Sequence, residues 1–281
     1  MGEEKLNNRF RERLGLSTIT FKDYSLQDAL TAAVELGLSV VEVGALPGFC
    51  PHMDWKNATL EEELEIVRLL LSTPLRLQGF NVKGDFNDPK IQPELVLLDA
   101  RRALRMAAAA GADAVCFGGG VKAEASLVPG LIRQVAPYYR TLAREAESLG
   151  LAAVIEAPHR GGLLRTTQNA MDLIEAIDHP NAYLVFDCAH HHASGIALDE
   201  AIRIVGDRIR FVHLRDRLGG SNCYPLGSGE IDFAQVIRML EQVGYSGDYG
   251  FEFPVDGKSL EELSQLVRQS IDFMENGCVL S

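Results

Sequence analysis

Short apolar runs alternate along the chain with longer amphipathic stretches. The runs at Leu14–Ser17, Ser39–Val43, Leu75–Phe80, Asp113–Phe117, Ala152–Glu156, Ala182–Asp187, Ile209–Leu214 and Tyr249–Glu252 have the length and flanks of buried strands. Between and after them the periodicity predicts helices over 26–36, 59–72, 93–110, 129–149, 166–178, 198–205, 232–243 and 259–275. Such strict alternation predicts parallel strands joined by crossover helices.

A repeat independent of propensity supports this order. Four predicted helices stop at a glycine shortly before the next strand: Gly37, Gly111, Gly150 and Gly244. Glycine closes a helix in the left-handed conformation without steric cost. Eight such units in about 250 residues are the proportions of an α/β fold of the (β/α)8 TIM barrel type. One domain over 1–281 is expected, with 1–12 as an N-terminal tail. An open doubly wound sheet would carry a Gly-rich phosphate turn after its first strand. Here that position reads Thr18-Ile19-Thr20-Phe21-Lys22-Asp23, without glycine.

Composition narrows the class. The 281 residues are 47% hydrophobic and 23% charged. No apolar run approaches the ~20 residues of a membrane helix, and the N-terminal residues are charged with no apolar segment behind them. A cytoplasmic protein with no membrane partner is expected. The five cysteines are widely spaced and include no CxxC, which points to free thiols rather than a disulfide framework. A net charge of −12 with dispersed basic residues disfavours nucleic acid as a partner and favours a divalent cation.

The barrel gives the strand ends their meaning, because catalytic groups of this fold sit at the C-terminal ends of the strands. Glu156, Asp187, His213 and Glu252 end four consecutive predicted strands. Glu42 also ends a strand, but its neighbouring strands offer it no partner, and its role stays open. Three carboxylates packed together raise one another's pKa values unless a cation is present. Three carboxylates and one imidazole form an oxygen-rich set, suited to one Mn²⁺, Mg²⁺ or Co²⁺ ion, with Zn²⁺ as a further candidate.

The segments IEAPH, FDCAHHHASG, FVHLRD and PLGSGEIDFAQVIRMLEQVGYSGDYGFEF resemble the second half of the xylose isomerase-like superfamily. These are sugar isomerases and epimerases that share a barrel with apurinic-site endonucleases. The resemblance implies that Glu156, Asp187, His213 and Glu252 bind one metal. It also implies that Glu156 and Glu252 act as acid and base on opposite faces of a ketose, through a metal-stabilised enediolate. The implied activity is that of a metal-dependent sugar isomerase or epimerase. The loop after Glu156 and the longer loop after His213 depart from well-marked epimerases, so an inosose dehydratase-type lyase is an alternative. The implied partner is a small-molecule sugar or a cyclic polyol ketone, and homo-oligomerisation is left open.

Around these four, His190 stands three residues after Asp187, at a position that faces substrate in the family. His159 is a candidate for the mouth of the site. Arg215 shares the strand parity of His213 and either binds a substrate oxygen or pairs with Asp216 or Glu230. His191 and His192 read as solvated loop residues. Phe49, His52 and Trp55 lie in a loop that either covers substrate or packs on the surface. The endonuclease branch needs extra histidines near strands three and four and an Asp-Arg-His tripeptide. Here those places hold Gly79-Phe80-Asn81-Val82, Cys116-Phe117-Gly118-Gly119-Gly120 and Ser221-Asn222-Cys223. Hydrolysis of phosphodiesters is therefore disfavoured. A non-catalytic barrel that binds metal and sugar is a further alternative, against which stands the retention of both glutamates.

Overall fold

The computed structural model describes residues 10–54, 57–159 and 161–277. Its strands are β1 (Leu14–Ser17), β2 (Val40–Leu46), β3 (Cys50–Pro51), β4 (Arg76–Val82), β5 (Ala114–Gly118), β6 (Ala152–Glu156), β7 (Ala182–Asp187), β8 (Ile209–Leu214), β9 (Asp216–Leu218), β10 (Ser221–Tyr224) and β11 (Tyr249–Phe251). Its α-helices are α1 (Leu26–Glu35), α2 (Leu60–Leu71), α3 (Pro93–Ala109), α4 (Val128–Ser148), α5 (Thr167–Ile177), α6 (Cys188–Ala193), α7 (Leu198–Val205), α8 (Phe233–Gln242) and α9 (Leu260–Gly277). Eight strands pair in parallel in the order β1-β11-β8-β7-β6-β5-β4-β2, and β2 pairs back onto β1. The sheet closes, as the alternation predicts, into a (β/α)8 barrel.

Local chemistry sets several helix boundaries. Ser25 and Asp28 form a reciprocal capping box at the start of α1, as do Thr59 and Glu62 at α2. Gly37, Gly111, Gly150 and Gly244 close their helices with φ between 70° and 78°. Among the described strands and α-helices, the sequence pattern does not predict β3, the short helix α6 or the hairpin β9–β10 in the loop after β8. Phe10, within the stretch read as a tail, is buried and packs at a tilt against Tyr249 with ring centroids 5.2 Å apart.

Strand parity divides the core in two. Ala114, Cys116, Ala152, Val154, Val185 and Phe211 pack together, while Val115, Phe117, Ala153, Ile155 and Leu184 join the larger cluster with the helices. Two residues further along the inward parity lie Glu156, Asp187 and His213. β6, β7 and β8 thus each carry a polar group on the core-filling face at the C-terminal end.

The rims of β4, β5 and β6 are cross-braced. The Tyr139 hydroxyl, from α4, lies 2.9 Å from Gly84 O and 2.6 Å from Gly118 O. Asn87 accepts from Val121 N at 2.8 Å and donates to Val121 O at 2.7 Å, so its amide imitates a strand partner. Val121 in turn bridges to Gly162. These approaches need glycine: a Cβ on Gly84 would stand 1.9 Å from Gly118 O, and one on Gly120 would stand 2.4 Å from Asn87 Oδ1. No described helix is long and apolar enough to cross a membrane.

Candidate metal centre

The strand ends bring together the four residues that the sequence singles out. One ligating atom each from Glu156, Asp187, His213 and Glu252 lies within 4.8 Å of the other three. The register explains how: Asp187 is paired with His213 and Gly250 with His213, so Glu252 follows at the next inward position. Glu252 N donates to Leu214 O at 3.1 Å, which extends the ladder one residue past β11.

Each donor has a defined orientation. Asp187 caps α6, its Oδ1 accepting from His190 N at 2.7 Å, which leaves Oδ2 turned toward the cluster. His213 directs Nδ1 toward Glu252 Oε2 (3.4 Å) and Asp187 Oδ2 (4.0 Å). Its other nitrogen, Nε2, stands 3.1 Å from Glu42 Oε2. Glu42 is therefore not without a partner: closure of the barrel brings it to a histidine on a strand distant in sequence. Asn81 donates to Glu156 Oε2 at 3.0 Å, an interaction that sequence reading missed.

Arg215 is the counter-charge. Its guanidinium lies 2.5 Å from Asp187 Oδ2, 3.1 Å from Glu252 Oε1 and 3.7 Å from Glu156 Oε1. It pairs with neither Asp216, whose carboxylate accepts from three backbone amides, nor Glu230, which pairs with Arg217. Burial opposes the negative charge of Asp187, but Arg215, with His213, outweighs it and holds its pKa below the usual carboxylate range. Burial likewise opposes charge on His213, yet Glu252, Glu42 and Glu156 carry its pKa up to about 10.

This donor set fits a divalent cation. Among the described residues, Asp187 Oδ2, His213 Nδ1 and Glu252 Oε2 are buried without a well-aligned hydrogen bond and are met only by ion-pair contacts with Arg215 and with one another, an arrangement that a cation would satisfy. An ion bonded at about 2.0–2.6 Å reaches atoms so spaced from one point. Four carboxylates (Glu42, Glu156, Asp187 and Glu252) face one guanidinium and one imidazole, so the cluster retains excess negative charge.

Around it, His190 is 7% exposed and its ring lies 4.2 Å from that of His159, which is exposed at the mouth. His191 corrects the expectation of a solvated loop. It is fully buried on α6, stacks on Phe186 at 4.1 Å, and pairs Nδ1 with Thr167 Oγ1 at 2.9 Å. His192 is half-buried on the same helix. His52 packs inward, with Nδ1 at 2.9 Å from Thr18 Oγ1, whereas Phe49 is exposed beneath Lys22. Trp55 and Arg160 lie outside the described residues.

A parallel barrel with a carboxylate–histidine cluster at its C-terminal mouth defines the class. The chain belongs to the xylose isomerase-like TIM barrel family, whose profile matches residues 30–277. An L-ribulose 3-epimerase from Methylomonas sp. is 28% identical over 113 residues, covering 40% of this chain and 38% of the relative. An inosose dehydratase from Clostridium perfringens is 28% identical over 134 residues, or 39% of this chain and 45% of the relative. The aligned stretch thus spans less than half the length of either relative. The D-psicose 3-epimerase of Clostridium cellulolyticum H10, solved with D-tagatose, superposes with a TM-score of 0.78 at 15% identity, over 95% of this chain and 99% of that one.

Proposed function

We propose that this chain is a divalent-metal-dependent sugar isomerase or epimerase that moves a proton at the carbon beside a carbonyl. The observation that carries this reading is the convergence of Glu156, Asp187, His213 and Glu252, two of them glutamates at separate strand ends. We assign all four as ligands of one Mn²⁺, Mg²⁺ or Co²⁺ ion, with Zn²⁺ able to use the same donors. When bound, the cation would polarise a substrate carbonyl and its neighbouring hydroxyl and so acidify the carbon-bound proton.

The remaining steps fall to side chains. One of Glu156 and Glu252 takes the proton as a carboxylate, and the electron pair left on carbon delocalises onto the carbonyl oxygen. The other, as a carboxylic acid, returns a proton. Return to the opposite face of the same carbon gives epimerisation, and return to the adjacent carbon, with the hydroxyl proton passing from one oxygen to the other, gives aldose–ketose isomerisation. Asn81 orients Glu156 by occupying Oε2. Arg215 balances the carboxylates and offers N–H groups to a substrate oxygen, and His190 and His159 hold sugar oxygens at the mouth. The similarity to an inosose dehydratase supports a second reading, in which the same abstraction is followed by loss of a β-hydroxyl as water. Either reading describes a cytoplasmic enzyme of small polyols.

Incubation with Mn²⁺ and a panel of ketoses and inososes in D₂O tests this. Deuterium uptake at carbon is expected for at least one compound, and the product distinguishes epimer, isomer and dehydrated ketone. Glu156→Gln and Glu252→Gln should each lower turnover by ~10² to 10⁴ while retaining most of the metal affinity. No uptake with any compound, or unimpaired turnover in both variants, would overturn the assignment.

A further inference from the structure

His190 has two different surroundings at its two ring nitrogens. Nδ1 lies 3.2 Å from the side-chain amide nitrogen of Asn222, whereas Nε2 is buried and has no hydrogen-bond partner among the described residues. Asn222 sits on β10 of the hairpin after β8, held on a rigid base. There the Asp216 carboxylate, itself fully buried, accepts from Arg217 N (2.8 Å), Gly229 N (2.8 Å) and Ile231 N (3.2 Å). Gly229 is required for this closeness, since a Cβ there would stand 2.4 Å from Asp216 Oδ1. On the other side, His190 is fixed by α6, whose first turn is capped by Asp187. Two anchored elements therefore meet at this one contact.

We propose that Asn222 is a positioning residue: by donating its Nδ2–H to Nδ1 of His190 it fixes the Nε2–H tautomer, so that the ring presents an N–H donor to a substrate oxygen. The inference rests on the site being that of a sugar enzyme. A neutral imidazole has one donor and one acceptor nitrogen, and the hydrogen bond at one decides the role of the other. The ring is neutral because the side-chain amide nitrogen of Asn222 can only donate, so Nδ1 opposite it must be an unprotonated acceptor. With Nδ1 engaged as an acceptor, its single proton sits on Nε2, the nitrogen that no described group satisfies. A donor held ready in this way stabilises negative charge that develops on a substrate oxygen, at no cost of reorganisation.

The tautomer can be read directly by long-range ¹H–¹⁵N correlation on ¹⁵N-histidine-labelled protein with Mg²⁺, using His190→Gln to assign the ring. The parent should show Nε2–H. Asn222→Leu, which removes the donor, should give a mixture of tautomers. Asn222→Asp, which supplies an acceptor, should move the proton to Nδ1. Both variants should bind Mg²⁺ as the parent does, while kcat/KM for the deuterium exchange falls about tenfold or more. An Nδ1–H tautomer in the parent, or a tautomer unchanged in both variants, overturns the proposal. Absence of exchange with every ketose, alongside the expected NMR result, would sink the sugar-enzyme reading and leave the tautomer assignment standing.

Discussion

Glu42 Oε2 stands 3.1 Å from Nε2 of His213, on the side of the imidazole away from the nitrogen that faces Asp187 and Glu252. Both side chains are 2% exposed or less, so the contact is shielded from solvent. A carboxylate behind a ligating histidine orients the ring and raises its basicity, and loss of such a partner commonly costs 10–100-fold in metal affinity. Glu42→Ala should therefore weaken Mn²⁺ binding by about that factor, with Glu42→Gln less affected because its carbonyl still accepts a hydrogen bond. Isothermal titration measures this, and equal affinity in the parent and Glu42→Ala would remove Glu42 from the site.

Metal should also stabilise the fold. A ligand present at ~100 times its dissociation constant contributes about 2.7 kcal/mol to the native state. Thermal unfolding of the parent should shift upward by a few degrees with Mn²⁺, while Asp187→Ala and His213→Ala should show no shift and little bound metal. Undiminished occupancy in both would sink the ligand assignment.

An apurinic-site duplex should remain intact with Zn²⁺ or Mn²⁺. Among the described residues there is one group of potential ligands, and Ser221-Asn222-Cys223 stands where the endonuclease tripeptide would be. Gel analysis of a labelled duplex checks this. Metal-dependent nicking that disappears in Glu252→Gln would reverse the ranking of the two branches.

The buried His191 makes acid stability measurable at one residue. Burial lowers its pKa from 6.5 to about 3. Above the unfolded value the ring is neutral in both states. As pH falls below it, the unfolded chain takes up a proton that the folded chain does not, so stability declines until the folded value is reached. The slope from this one group approaches ~1.4 kcal/mol per pH unit. His191→Gln keeps a partner for Thr167 but does not titrate, so its stability should fall less between about pH 6.5 and about pH 4.5. Urea unfolding at the two pH values decides it, and identical losses in both proteins would refute the role.

What the sequence reveals and what it hides follow from the same geometry. Glu156, Asp187 and His213 were legible because each ends an apolar run, and the strand period places such an end inside a closed barrel. The eight barrel strands and their helices were legible for a similar reason, with boundaries shifted by a few residues at β2 and β4. Glu42 was not, because its partner lies across the barrel and depends on closure. Arg215 was given the correct parity, but its acids were sought nearby in the chain rather than on neighbouring strands. The segment CAHHHA has no apolar periodicity of its own. Its helix starts at the Asp187 cap, and the turn so begun sets His191 against Phe186 and Thr167 rather than in solvent.

The glycine contacts around Gly84, Gly118, Gly120 and Gly162 give the barrel mouth two mechanically different halves. Tyr139 and Asn87 tie the loops after β4, β5 and β6 into one unit, in which displacing any loop breaks hydrogen bonds to the others. Glu156 issues from that stiff arc. Any opening that admits a substrate is therefore expected from the loops that follow β1, β2 and β11, which neither these ties nor the Asp216 anchor of the hairpin after β8 reach.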